Sequence, residues 1–186
     1  AMIILIGGVM LYMAGVKLRY FAALAALAPF VLYQAVMGAA YRRDRIEAYL
    51  NPWSDARGSG YQVIQSLIAV GTGGLDGVGL MEGRQKLFYL PYPYSDFIYA
   101  VIGEELGLLG ATAVLLGFVL VLWRGLRTAW RAPDAFGTFL AAGLTLAIVL
   151  QAFINVSVVL GLLPTKGIPL PFISAGGSSL VFTLLA

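Results

Sequence analysis

Apolar residues fall into four long runs, and polar segments of very different lengths separate them. The runs cover residues 2–16, 20–37, 97–123 and 136–162, and a fifth begins at residue 176. A helix needs roughly 20 consecutive apolar residues to cross the hydrocarbon core of a bilayer. The pattern therefore predicts an all-α, polytopic bundle with about five membrane-spanning helices.

The same pattern divides one membrane domain, 1–186, into spans and connecting loops. We expect, in order, two spans in 1–38, a long extracytoplasmic loop at 39–96, a span at 97–124, a span at 136–162, an extracytoplasmic loop at 163–175 and the start of a last span at 176–186. Because apolar runs lie at both ends, we expect the chain to be an internal part of a longer protein.

The composition indicates a membrane protein and limits the residue types that could act as an acid, a base or a nucleophile. The 186 residues are 60% hydrophobic and 11% charged, with a mean hydropathy of +0.88, whereas soluble domains carry roughly 25% charged residues. The chain has no cysteine, which excludes disulfides and thiol chemistry, and no histidine, the commonest general base. Acid–base chemistry therefore falls to the nine Asp and Glu residues, or to Lys and Tyr.

Basic residues indicate which side of the membrane each loop occupies. One acid, Asp134, opposes five basic residues on the same predicted side, which are Lys17, Arg19, Arg124, Arg127 and Arg131. The positive-inside rule makes that side cytoplasmic. The loops at 39–96 and 163–175 then share the outer face, so Asp96 and Lys166 are predicted to lie near each other in a compact bundle.

The long loop is polar, and its charges nearly cancel. One semi-apolar piece, 61–70, is too short to span and predicts a helix that lies at the interface or re-enters the membrane. Glycines cluster at 71–79 and predict turns with close backbone approach. A loop of this length is often functional.

Asp96 stands where this loop becomes the third apolar run. One interpretation is a helix N-cap, because Asp is a favoured residue at that position. The other is a general base at the mouth of the bundle that accepts a proton from a substrate hydroxyl. The residues alone leave both interpretations open.

Two further acids, Glu104 and Glu105, follow on the same run, about 12 Å along a straight helix at 1.5 Å per residue. A carboxylate at that depth costs several kcal/mol unless it is paired or hydrated. They are expected either to pair with another helix, through Gln151, Asn155 or a helix that this sequence does not include, or to form the wall of a polar cavity. Glu104 lies nearer the face of the helix that carries Asp96.

Other side chains have both a functional and a structural interpretation. Four basic residues suit a phosphate or pyrophosphate on the outer face, or else form ordinary salt bridges: Arg57, Arg84, Lys86 and Lys166. A stripe of small residues predicts close helix packing: Gly103, Gly107 and Ala111. These residues fit two classes of protein equally: an enzyme that acts on a lipid-linked substrate, and a transporter.

Short motifs then follow one another in a fixed order across most of the chain. They are Asn51-Pro52-Trp53, Gly58-Ser59-Gly60-Tyr61-Gln62, Gln65-Ser66, Gly73-Gly74, Gln85-Lys86, Leu90-Pro91, Asp96-Phe97, Gly103-Glu104-Glu105-Leu106-Gly107, Pro164-Thr165-Lys166-Gly167-Ile168-Pro169-Leu170-Pro171 and Gly176-Gly177-Ser178-Ser179. Each is weak alone, but the ordered set strongly resembles the SEDS family of shape, elongation, division and sporulation proteins (FtsW, RodA and SpoVE). The Asn51-Pro52-Trp53 motif and the motif that begins Pro164-Thr165-Lys166-Gly167 are most similar to the FtsW, cell-division branch.

The resemblance implies a multi-pass, ten-helix protein of the bacterial cytoplasmic (inner) membrane, of which this chain is roughly the second half. It implies a peptidoglycan glycosyltransferase that polymerises lipid II into glycan strands on the outer face, for septal cell-wall synthesis. The implied partners are a class B penicillin-binding protein and other division or elongation proteins, and no nucleic acid.

The resemblance also implies site residues, and Asp96 is the catalytic one. Substrate contacts are expected at Arg84, Lys86, Lys166, Glu104, Glu105, Gln62 and Ser178. A divalent cation, Mg or Mn, is a candidate cofactor, although the sequence specifies no ligand set for it. Two departures stand out: Tyr92-Pro93-Tyr94-Ser95 replaces the usual Glu-(Pro or Ala)-His-Thr before the Asp, and Ala175 replaces a Tyr.

Two alternatives to the glycosyltransferase remain. A lipid II flippase fits the acids at 104 and 105 within an apolar run, and would return relocated but unchanged lipid II. A non-catalytic divisome scaffold would bind its partner and make no glycan.

Overall fold

The computed structural model describes residues 2–38, 40–58, 60–88 and 95–175. Its elements are the helices α1 (Met2–Met13), α2 (Leu18–Met37), α3 (Ala40–Leu50), α4 (Tyr61–Gly73), α5 (Gln85–Phe88), α6 (Ile98–Arg131) and α7 (Ala135–Val159), with a 3-10 turn at Pro52–Asp55. The described ranges contain no β-strand, which confirms the all-α prediction.

Two of these helices, α6 and α7, are long and apolar enough to cross a membrane. Shorter apolar helices occur at Met2–Met13 and Leu18–Val31. Helix α6 continues to Arg131, seven residues past the end expected from hydropathy. Arginine is a good helix former, and Arg124 and Arg127 both lie over the Trp123 ring, 5.3 and 5.5 Å from its centre. The helix therefore extends through the basic segment.

Much of the long loop is helical, and α4 is part of the core. It is three residues longer than the expected 61–70 piece and buries Val63, Ile64 and Ala69. The Ser66 hydroxyl donates to the Val159 carbonyl at the end of α7, at 3.0 Å. This hydrogen bond and the apolar face fix α4 against α7 and α6.

Helix α6 is broken at Gly107, whose φ of 62° and ψ of −162° are not helical. The Tyr99 hydroxyl donates to the Ala111 carbonyl at 3.2 Å. Twelve residues of straight helix would separate these positions by about 18 Å, farther than a tyrosine side chain reaches. The segment before Gly107 therefore bends sharply back over the segment after it. The later segment, 108–131, is about 36 Å long and spans a bilayer core of about 30 Å alone.

The turn after α4, at residues 74–79, supplies backbone partners for the groups that lose their helical hydrogen bonds at the break. In a straight helix the Leu108 and Leu109 N–H groups would donate to the Glu104 and Glu105 carbonyls. Here Leu108 donates to Gly74 and Leu109 to Leu75, at 2.9 and 3.3 Å. The two vacated carbonyls accept instead from residues 78 and 79, at 3.0 and 3.1 Å. All four backbone groups are therefore paired, as low-dielectric surroundings require.

A second helix of the 39–96 segment, α3, is fastened to the chain that follows α7. The Arg45 guanidinium donates to the Thr165 carbonyl at 2.8 Å, and the Tyr49 hydroxyl donates to the Leu162 carbonyl at 3.0 Å. Helices α4, α6 and α7 supply most of the buried apolar core, and Phe97 and Leu170 from the adjoining loops join it. The two loops around the candidate site are thus anchored in the core.

Candidate functional site

Asp96 precedes α6 without capping it. The helix begins at Ile98, and its N-cap is Phe97, which makes no side-chain capping hydrogen bond. The N-cap interpretation of Asp96 was therefore wrong. The half-buried carboxylate accepts a hydrogen bond from the Ser95 hydroxyl at 2.9 Å, and no lysine or arginine of the described residues forms an ion pair with it. Its position leaves it available for chemistry.

The loop after α7 lies directly against this carboxylate. A Cβ placed on Gly167 would stand 3.0 Å from the Asp96 Oδ2 atom. The neighbouring residue, Lys166, is exposed and forms no ion pair within the described part of the chain. The carboxylate is therefore adjoined by a loop that carries an exposed lysine one residue from the point of contact.

Buried side chains of α7 and its loop hold the two segments together. The Asn155 side-chain amide donates to the Asp96 and Ile168 carbonyls, both at 2.7 Å. One turn earlier, Gln151 donates to the Pro169 carbonyl at 2.9 Å. These bonds attach the chain before α6 and the loop after α7 to one helix.

A hydroxyl makes a second connection between the same two segments. Ser174 donates to the Ser95 carbonyl at 2.5 Å and accepts from the Leu170 N–H at 2.7 Å. Its side chain is 2% exposed. The carbonyls of residues 95 and 96 are therefore each held by a buried polar side chain.

The two glutamates contact α5 and the residue before it, Arg84, rather than α7. Glu104, 3% exposed, accepts from the backbone N–H groups of Arg84 and Gln85, at 2.9 and 3.3 Å. Glu105 forms an ion pair with Lys86 at 2.5 Å. The expected pairing with Gln151 or Asn155 was wrong, because the bend at Gly107 turns both carboxylates towards the loop.

The remaining predicted contacts are more scattered. Arg84 is exposed, while Gln62 lies half-buried in the first turn of α4. Arg57 is exposed, and Ser178 lies outside the described residues. The structure therefore brings the loop that carries Lys166 against Asp96, and it places Lys86, Glu104 and Glu105 in the contacts that hold the loop.

A divalent cation was expected as a candidate cofactor. Within the described ranges no three His, Cys, Asp or Glu side chains come together in a way that suits a metal ion. Asp96 offers one carboxylate, and Glu104 and Glu105 are bound to the loop. These residues do not form a ligand set, so the mechanism below has no step through a metal.

Two grooves of the protein differ in their relation to the site. One, of about 390 Å³, is lined by residues of α1, α3 and α7 and by the loop at 163–168, which includes Lys166. The other, of about 560 Å³, lies between α6 and α7 near Arg124, far along α6 from Asp96. Only the first adjoins the candidate site.

Asn155, Ser174 and Gly167 are the contacts that sequence reasoning missed at this site. The sequence placed Gly167 only in a motif, and it predicted Asn155 only as a partner of Glu104 and Glu105. One usable signal was an amide in an otherwise apolar helix, since a buried amide needs partners. Nothing in the sequence identifies those partners as two loop carbonyls.

Comparison with known proteins gives consistent matches over the chain. A family model for FtsW, RodA and SpoVE, described as "Cell cycle protein", matches residues 1–186. A protein of Geobacter sulfurreducens (strain DL-1 / KN400), "Probable peptidoglycan glycosyltransferase FtsW", is 52% identical over 182 residues, covering 98% of this chain and 49% of that protein. "Stage V sporulation protein E" of Bacillus subtilis (strain 168) is 51% identical over 178 residues, covering 96% and 49%.

A solved structure also resembles the chain. It is described as "Structural coordination of polymerization and crosslinking by a peptidoglycan synthase complex", with a TM-score of 0.66 and 33% identity, covering 90% of this chain and 45% of that one. The chain thus spans about half the length of the relatives that it matches.

Proposed function

Because this chain belongs to the FtsW, RodA and SpoVE family of membrane proteins, we propose that the full-length protein is a glycosyltransferase that polymerises lipid II into peptidoglycan. The reaction takes place on the outer face of the cytoplasmic membrane, in septal synthesis. A class B penicillin-binding protein is the proposed partner, and the membrane topology is multi-pass. The observation that carries the proposal is the Asp96 carboxylate, which is half-buried, without an ion pair in the described ranges and beside the Lys166 loop.

The chemistry assigned to Asp96 is general base catalysis. Its carboxylate accepts the proton of the 4-hydroxyl of the acceptor sugar as that oxygen attacks the anomeric carbon of the donor chain. The new C–O bond forms while the bond from the anomeric carbon to the polyprenyl diphosphate breaks, with inversion at that carbon. The proton ends on Asp96, and the diphosphate leaves with the bonding electron pair.

Charge develops on the leaving diphosphate, so a cation near it favours the transition state. Lys166 is the best candidate, because it is exposed and one residue from the glycine that faces Asp96. Arg84 is a second, exposed candidate on the opposite loop. The groove of about 390 Å³ beside Lys166 offers an apolar surface for a polyprenyl chain.

The experiment is polymerisation of labelled lipid II by the full-length protein with its penicillin-binding partner, for wild type and Asp96→Asn. The asparagine keeps the shape of the side chain but is no longer a base. We expect a ladder of glycan products from wild type and none from the variant at equal expression. A ladder of equal strength from Asp96→Asn would refute the role of Asp96.

The flippase alternative has lost its main support, since Glu104 and Glu105 are bound to the outer loop. Relocation of unchanged lipid II by the wild-type protein, without any ladder, would restore it. Partner binding with neither activity would instead indicate a scaffold.

A further inference from the structure

The two peptide groups just before α6 are held by side chains from elsewhere in the fold. The first turn of α6 closes on Phe97, whose carbonyl accepts from Ala100 at 2.9 Å. The Asp96 carbonyl accepts instead from Asn155, at 2.7 Å, and the Ser95 carbonyl from Ser174, at 2.5 Å. The path of the main chain at Asp96 is therefore set by these two contacts.

The same two side chains also fix the loop that faces the carboxylate. Asn155 uses its second N–H on the Ile168 carbonyl at 2.7 Å, and the Ser174 hydroxyl accepts from Leu170 at 2.7 Å. Residue 168 directly follows Gly167, at which an added Cβ would stand 3.0 Å from Asp96 Oδ2. Asn155 and Ser174 therefore each connect the main chain at residues 95 and 96 to the loop that faces the Asp96 carboxylate.

We propose that Asn155 and Ser174 are positioning residues for the glycosyl transfer proposed above, acting through the main chain of residues 95 and 96. Both are 2% exposed, so they hold the base without touching the substrate. Loss of either contact lets the Asp96 carboxylate shift relative to Gly167. The shift lowers kcat by a larger factor than it raises KM, because it displaces the base itself, whereas Lys166 is affected only through the loop that follows it.

The chain offers a matched control for a purely structural effect. Gln151 lies one turn from Asn155 on α7 and also donates to the loop, at the Pro169 carbonyl, but it makes no described contact with the chain before α6. Gln151→Ala removes a half-buried amide and one loop contact while leaving the Asp96 carbonyl held. If only loop stability matters, Asn155→Ala and Gln151→Ala will behave alike.

The experiment measures initial polymerisation rates against lipid II concentration for the full-length protein with its partner. The variants are Asn155→Ala, Gln151→Ala, Ser174→Ala and Ser174→Thr, beside wild type and Asp96→Asn. A displacement of about 1 Å costs about a hundredfold in rate, and we expect a kcat loss of about that size for Asn155→Ala. Gln151→Ala retains most of its kcat. Ser174→Thr, which keeps the hydroxyl, recovers most of the activity that Ser174→Ala loses.

Each outcome decides the matter. Wild-type kcat in Asn155→Ala, equal losses in Asn155→Ala and Gln151→Ala, or a raised KM with kcat unchanged would overturn the positioning role. If Asn155→Ala does not accumulate as a folded protein, the two Ser174 variants decide, and equal rates for them overturn the proposal. If wild type makes polymer and Asp96→Asn does not, the proposed function stands. Absence of the expected kcat losses in the Asn155 and Ser174 variants then refutes only their positioning role. If wild type makes none, the proposed function fails first.

Discussion

Adding one methyl group at Gly167 should slow the reaction without weakening the fold. The new Cβ would lie 3.0 Å from Asp96 Oδ2, closer than an ordinary contact of a Cβ atom. Either the carboxylate or the loop must therefore move by a few tenths of an ångström. Since a misplacement of about 1 Å costs about a hundredfold in rate, we expect about a fivefold loss in kcat, or ~1 kcal/mol in activation free energy.

We expect Gly167→Ala to lower the activity without lowering the stability of the fold. Gly167 is exposed and lies outside the positive-φ region, and alanine at a compatible glycine position stabilises by about 0.4–1 kcal/mol through the unfolded state. Thermal unfolding of the full-length protein is expected to be unchanged or slightly raised, while the lipid II polymerisation rate falls.

Gly71→Ala is the matched control for this experiment. It lies on α4, and its added Cβ meets no described atom within 4 Å, so we expect wild-type activity. A Gly167→Ala protein with the kcat of Gly71→Ala would refute the reasoning, because it would show that crowding Asp96 Oδ2 has no effect on the base.

Two further predictions concern the elements that support the site. Gly107→Ala places a side chain where φ is +62° and where its Cβ would overlap the Gly77 nitrogen. We expect this variant to lose at least ~3 kcal/mol in the free energy of unfolding. Gly117→Ala in the same helix has no described atom near its Cβ, so it should change the free energy of unfolding by less than ~1 kcal/mol. Equal melting temperatures for the two variants would contradict the broken α6. Lys86→Ala leaves the largely buried Glu105 unpaired at a cost of about 3 kcal/mol. A double-mutant cycle with Glu105→Gln should show a coupling of ~1–3 kcal/mol, and a coupling of zero would mean that the pair does not fasten the loop.

Hydropathy was sufficient to predict the helical class and the location of Asp96 at the start of a helix. The bend at Gly107 could not be predicted that way, because a predominantly apolar run continues from 97 to 123 on both sides of Glu104 and Glu105. The stripe formed by Gly103, Gly107 and Ala111 was interpreted as helix packing, and this is right for two of its members: Gly103 packs against Val70, and Ala111 is buried. Gly107 differs because the turn after α4 supplies hydrogen bonds from a distant part of the sequence.

The contacts around Asp96 illustrate the same limit. The charge pattern correctly predicted that Lys166 and Asp96 belong to loops that meet. It could not predict that Asn155 and Ser174 connect those loops, since both partners of each side chain are backbone carbonyl or N–H groups, which every residue possesses. The roles of Glu104 and Glu105 depended in turn on the bend, which reverses the direction in which they face.

The repaired break in α6 also constrains how the length of this segment can vary among relatives. Backbone pairing fixes the chain at Gly74 and Leu75 on one side of the turn and at residues 78 and 79 on the other. An inserted or deleted residue between them would move two donors or two acceptors out of register and leave unpaired groups on both segments. Length changes are expected instead at 80–82, where the chain is exposed, so an alignment of relatives should show gaps there and none at 74–79 or 104–109.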